Sequence, residues 1–464
     1  MGMERQETKV ATTTAAAFNL AESGYGDRPD LDDDGREKRT GGWTLVTASA
    51  HIITAVIGSG VLSLAWAIAQ LGWVIGPAVL VAFSVITWFC SSLLADCYRS
   101  PDPVHGKRNY TYGQAVRANL GVAKYRLCSV AQYVNLVGVT IGYTITTAIS
   151  MGAIKRSNCF HRNGHDAACV ASDTTNMIIF AGIQILLSQL PNFHKIWWLS
   201  IVAAVMSLAY STIGLGLSIA KIAGGAHPEA TLTGVTVGVD VSASEKIWRT
   251  FHPAENEVMK KASFIGVSTT TMFYMLCGVL GYAAFGNRAP GNFLTGFGFY
   301  EPFWLVDVGN VCIVVHLVGA YQVFCQPIYQ FAEAWARSRW PDSAFVNGER
   351  VLRLPLGAGD FPVSALRLVW RTAYVVLTAV AAMAFPFFND FLGLIGAVSF
   401  WPLTVYFPVQ MYMSQAKVRR FSPTWTWMNV LSLACLVVSL LAAAGSIQGL
   451  IKSVAHYKPF SVSS

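Results

Sequence analysis

The stretch AVIGSGVLSLAW, Ala55 to Trp66, places Gly58-Ser59-Gly60 in the middle of a long apolar run. Each glycine costs a helix about 1 kcal/mol against alanine. In lipid a broken helix persists only where protein or a water-filled cavity satisfies the freed backbone groups. An unwound turn here would offer backbone N–H groups and a half-helix N-terminus to a carboxylate. Close packing of small residues against another helix accounts for the same three residues. His51 shares a helical face with Thr54, Ala55 and Gly58 at about 100° per residue, so it looks toward the break. A histidine inside a span titrates near neutral pH and is a candidate for proton coupling; a neutral histidine bonded within a bundle is the plain alternative. Asp307 and His316 lie in one further apolar run, on opposite faces. Asp307, with Asn310 on its face, reads either as a proton relay or as a boundary residue satisfied by water. His316 shares its face with Gly319 and Ala320, which is a packing face.

Cys159 and Cys169 frame CFHRNGHDAAC in a polar loop expected over Lys155 to Asn176. On the oxidising side of a membrane such a pair forms a disulfide. Metal binding with His161 and His165 is the runner-up, but the spacing is not that of a zinc site, so no metal is expected. The other cysteines, Cys90, Cys97, Cys128, Cys277, Cys312, Cys325 and Cys435, lie in or beside apolar runs and read as small buried hydrophobes. No zinc, P-loop, dinucleotide or nucleophile-elbow motif is present, and an enzyme is not expected.

The elements that must position these residues are membrane spans. The chain is 53% hydrophobic and 12% charged, about half the charge of a soluble domain. Ten apolar runs are long enough, or nearly so, to cross a bilayer: Trp43–Gln70, Trp73–Tyr98, Leu127–Ile154, Met177–Leu190, Trp197–Ala223, Lys261–Phe285, Leu305–Ala332, Leu366–Phe385, Phe391–Met413 and Trp425–Ile451. The fold class is therefore an all-α membrane protein. Residues 1–40 are polar and read as a disordered tail, and the transmembrane domain occupies 41–460. The net charge of +8 comes from connecting loops and sets topology rather than marking a nucleic-acid binder. Basic residues before the first span and in the loop after the second put the N-terminus in the cytoplasm. Asn109 of the sequon Asn109-Tyr110-Thr111 would then stay unglycosylated. The second half conflicts with this frame. Five spans from an inside N-terminus bring Ala223 outside, yet the next helix opens on Lys260 and Lys261, which belong to the basic, inside face. An odd number of crossings is needed between them, and the intervening polar stretch has no apolar run to supply one.

Four segments carry a resemblance. GGWTLVTASAHIITAVIGSGVLSLAWAIAQLGW, TTTMFYMLCGVLGYAAFGNRAPGNFLTGFGFYEPFWLVDVGN, VVHLVGAYQVFCQP and SFWPLTVYFPVQMY resemble segments of the plant amino-acid permeases, within the amino acid/auxin permease family. The resemblance implies a leucine-transporter-like fold of eleven helices, built as an inverted repeat. It implies inward symport of amino acids with protons at the plasma membrane, with the proton gradient and no cofactor as driving force. It favours Gly58, Ser59 and Gly60 as half of the substrate site. In such a fold the first and sixth helices are both broken and hold the substrate between them. Here the sixth helix is missing near 251–259, where EKIWRTF runs into HPAENEVMKKAS. The expectation is a truncated permease of reduced activity. The rival is a non-transporting regulator, sensor or decoy that associates with intact permeases.

Overall fold

The computed structural model describes residues 45, 48–49, 52–53, 56–103, 105–164, 167, 169–190, 197–225, 228, 230, 255–297, 303–353 and 360–456, some of them without their side chains. His51 lies outside the described residues, as do the 1–40 tail and His165. Gly58 leaves the first helix with φ −118° and ψ −152°, and a 3₁₀ turn follows over Ser59–Ser63. Helix α1, Leu64–Cys97, is interrupted at Gly72, with φ 78° and ψ −176°. That positive φ is open to glycine without a Cβ penalty. α1 is thus two arms: Leu64–Leu71 finishes the first crossing, and the remainder makes the second.

A two-stranded ribbon, β1 Arg99–Ser100 with β2 Lys107–Arg108, leads to the short α2, Tyr112–Leu120. Then come α3 Val122–Asn163, α4 Asp173–Ser188, α5 Trp197–Ala223, α6 Glu255–Phe285 and α7 Phe303–Arg339. A single turn α8, Ala344–Asn347, and a hairpin of β3 Glu349–Arg353 with β4 Asp360–Ser364 precede α9, Ala365–Ala384. α10, Phe388–Ser399, passes through a π turn at Phe400–Tyr406 into α11, Phe407–Gln415, and α12 covers Pro423–His456. Among the described residues eight helices are long and apolar enough to cross a membrane. The first of these carries the Gly72 turn, and α4, with 16 residues, is shorter than that measure allows.

Two boundaries differ from expectation. The loop placed over Lys155–Asn176 shrinks, because nothing breaks α3 until Gly164 at φ 85°, and α4 opens at Ser172, whose Oγ accepts the Thr175 N–H at 3.3 Å. The helix expected from Lys261 begins at Glu255, since Glu255, Glu257, Met259 and Lys260 are good helix formers and extend the helix beyond the apolar run.

Cross-helix contacts give every crossing a direction. Trp73 meets Tyr282, Trp88 meets Phe264, and Asp96 pairs with Lys260 at 2.8 Å, so the second arm of α1 runs antiparallel to α6. α3 opposes α7 through Tyr133–Phe331, Tyr143–Phe324 and Asn158–Asp307. α5 opposes α7 through Ala203–His316 and Ile213–Gly309. One end of the bundle gathers Arg99, Lys124 and Lys260: Gln415 bonds the Arg99 carbonyl at 2.6 Å and Lys124 reaches the Tyr406 hydroxyl. At the other end Lys221 sits 3.9 Å above the Phe285 ring. α5 therefore finishes at the far end, beside the finish of α6, whereas α6 starts at the basic end. The connection between α5 and α6 joins opposite ends of the bundle.

Candidate functional site

The break in the first crossing is built from glycine geometry and closed by a neighbour. The Ile57 N–H still reaches the Ile53 carbonyl at 2.8 Å, but the Gly58 N–H turns to the Val56 carbonyl at 2.8 Å. Ser63 Oγ donates to the Gly60 carbonyl at 3.0 Å, and Val61 N–H to that of Gly58 at 3.2 Å. The Tyr274 hydroxyl of α6 donates to the Val56 carbonyl, so a phenol satisfies an acceptor that unwinding frees. A Cβ placed on Gly60 would lie 3.8 Å from the same hydroxyl. Ile57, Val61 and Leu62 are fully buried, and Val61 and Leu62 hold the turn in the main core. Of the three expected donors, that of Gly58 is engaged within the turn.

A cavity of about 320 Å³ opens against this turn. Val56, Leu64 and Ile68 line it from the first crossing, Leu80 and Phe83 from the second, and Tyr274 from α6. Its wall is almost wholly apolar, which suits a hydrocarbon surface better than an amino acid's charged ends.

His316 is 3% exposed and packs edge-on against Tyr210 with ring centroids 5.8 Å apart. Its Nδ1 lies 2.7 Å from the Ala203 carbonyl, so Nδ1 carries the hydrogen and Nε2 is the acceptor nitrogen, buried without a partner. Asp307 lies on the α3 side of α7 and accepts from Asn158 Nδ2 at 2.7 Å. The two residues thus lie on different faces of α7 and do not meet. Cys159 and Cys169 are joined in a disulfide, with Cα atoms 5.8 Å apart. Among the described residues no group of His, Cys, Asp and Glu could hold a metal.

One buried network was not singled out from sequence. Arg371 of α9 pairs with Glu333 of α7 at 2.8 Å and donates to the Ser188 carbonyl at the end of α4 at 2.7 Å. Gln322 bonds Gln184 at 2.6 Å and Ser188 Oγ at 3.1 Å, and Ser188 Oγ meets the Tyr329 hydroxyl at 3.0 Å. Together these bonds lock α4, α7 and α9 into a block. The signal was available, because Arg371 is an ionisable residue inside an apolar run.

A helical bundle of paired crossings with an unwound first helix defines a secondary transporter of the inverted-repeat class. The fold is shared with Mhp1, a nucleobase-cation-symport-1 family transporter in a closed conformation, at a TM-score of 0.51 and 12% identity, over 90% of this chain and 94% of that one. A family model described as transmembrane amino acid transporter protein matches residues 41–252 and 249–452. Amino acid permease 6 of Arabidopsis thaliana is 65% identical over 458 residues, covering 93% of this chain and 95% of its own. Amino acid permease 1 of the same plant is 59% identical over 456 residues, covering 93% of each. The chain belongs to the transmembrane amino acid transporter family, and its relatives are plant amino acid permeases.

Proposed function

We propose that this chain is a plasma-membrane amino-acid permease of the proton-coupled type from which the sixth crossing has been lost, and that alone it transports poorly. The observation that carries this is the direction of α5 and α6. α5 ends beside Phe285 and α6 begins beside Asp96, at opposite ends of the bundle. A chain that leaves one end and re-enters at the other needs a further crossing, and residues 224–254 include no apolar run of about 20 residues. The family match in two pieces that meet at 249–252 supports the same reading. So does the alignment with the first relative. It needs 458 positions to take in 93% of this chain, which leaves that relative with a surplus about one crossing long. The apolar cavity beside Val56 and Tyr274 is a surface that a further helix would cover.

In this reading the basic end faces the cytoplasm, as does the N-terminus. Backbone donors of Ser59 and Gly60 hold the substrate carboxylate, and its partner half-site is lacking. Asp307, His316 and His51 are the candidates for carrying the coupled proton, with His316 Nε2 the nitrogen open to it. The second reading is a non-transporting membrane protein that associates with intact permeases. The cavity wall favours it over an unrelated role, because a helix of a neighbour could cover that wall. Uptake of labelled neutral amino acids into a transporter-deficient host, with and without a proton gradient, separates the two. Weak gradient-dependent uptake supports the permease reading, and none at full surface expression supports the regulator.

A further inference from the structure

Where α3 and α7 meet, at the end of the bundle away from Lys260, side-chain oxygens gather that lack hydrogen-bond partners among the described residues. Asn158 Nδ2 donates to Asp307 Oδ2 at 2.7 Å and to the Ile154 carbonyl at 2.9 Å. Asp307 Oδ1 is buried with no partner. One helical turn further on, Asn310 is fully buried; its Nδ2 donates to the Val306 carbonyl at 2.9 Å, and its Oδ1 has no partner. Ser157 is 6% exposed, and its Oγ lies beside the Asp307 carboxylate without a well-formed hydrogen bond. Buried acceptors left unsatisfied are costly, and a carboxylate among them more so.

The neighbouring basic groups among the described residues lie against other partners. Lys155 Nζ bonds Asn176 at 2.7 Å, and Arg156 lies beside Asp173 of α4. His161 stacks on Phe303 with centroids 3.9 Å apart. At Gly309 the neighbours from α5 and from the 3₁₀ turn Phe293–Phe297 are Ile213 and Leu294, both apolar.

We propose that Ser157, Asp307 and Asn310 form a binding site for one monovalent cation, a proton or a sodium ion, at the α3–α7 interface. One carboxylate among neutral oxygens balances a single positive charge. A divalent ion would leave an excess charge, and calcium takes six to eight oxygens. A proton on Asp307 turns an acceptor into a donor for Asn310 Oδ1 or Ser157 Oγ, and a sodium ion satisfies all three oxygens at once. The site supplies a ligand set for the reading of Asp307 as a coupling residue. It is tested without uptake, so a chain that fails to transport can still hold the ion.

The test is the thermal unfolding midpoint of the purified full chain in detergent, in sodium against choline chloride at equal ionic strength, and from pH 8 to pH 5.5. A sodium site raises the midpoint with sodium. A proton site raises it with acid. In Asp307→Asn, whose amide imitates the protonated acid, both responses are lost. Asn310→Ala weakens the response and decides the question in its place should Asp307→Asn fail to purify. His161→Gln keeps it. A wild-type midpoint indifferent to both ions overturns the proposal, as does a response undiminished in Asp307→Asn and Asn310→Ala, or one lost in His161→Gln.

Discussion

Arg371 and Glu333 have side chains 5% and 9% exposed, and their opposite charges face each other at 2.8 Å. Arg367, at 3.4 Å from the second Glu333 oxygen, is the more distant partner. Replacing Arg371 by Leu leaves the carboxylate with the more distant Arg367 alone and uncaps the end of α4, so unfolding free energy should fall by about 3 kcal/mol. Adding Glu333→Gln should recover part of the loss, because the under-compensated charge goes with it. Denaturation of the purified variants measures both, and equal stability of Arg371→Leu and the parent would show the pair to be unimportant. Asn109 is a second residue-scale case. It bonds Ser100 Oγ through Nδ2 at 3.2 Å and lies next to β2, at the basic end. No glycosidase-sensitive mass should disappear on Asn109→Gln; a shift would invert the orientation. Single residues were the least legible in the sequence. Asp307 and His316 could be nominated as ionisable groups in an apolar run, with Asn310 on the face of Asp307, but Asn158 and Tyr274 could not. Their roles depend on which helix lies opposite.

Elements were far more legible, because lipid leaves helices as the only way to satisfy a crossing backbone here. The Leu71-Gly72 turn and the break at Gly58 follow from glycines within apolar runs. The overlong ends of α3 and α4 did not, since polar helix and polar loop look alike once outside the bilayer. The β3–β4 hairpin was equally hidden: Glu349–Arg353 and Asp360–Ser364 are too mixed in polarity to announce strands. The packing of α6 on the first crossing depends on close approach at Gly281, where a Cβ would come within 2.7 Å of that of Ala65. Gly281→Leu should cost about 1–3 kcal/mol through overpacking, read from the unfolding midpoint. No change would mean the two helices are not held together there. The directions of α5 and α6 have their own check. With native thiols buried or bridged, a cysteine at Gly225 should react with an impermeant maleimide on intact cells. One at Glu257 should react only after permeabilisation. Labelling of both from the same side would remove the need for a further crossing.

For the whole molecule, sequence alone reached the family and the topological conflict, because both are carried by long runs rather than by single contacts. What remained out of reach was how the conflict shapes the core. The break at Gly58–Gly60 keeps its internal bonds and its Tyr274 partner, yet a largely apolar cavity stands beside it. Unwound backbone facing lipid costs several kcal/mol per unpaired group, so the turn needs a covering helix to act as a binding site. The most direct measurement compares uptake of a labelled neutral amino acid by this chain and by a variant carrying the sixth crossing of a relative inserted after Phe251, at matched surface expression. The insertion should raise proton-driven uptake by at least tenfold, equivalent to about 1.4 kcal/mol in the barrier. Equal, robust uptake by the unmodified chain would contradict the claim that a crossing essential to the carrier is missing.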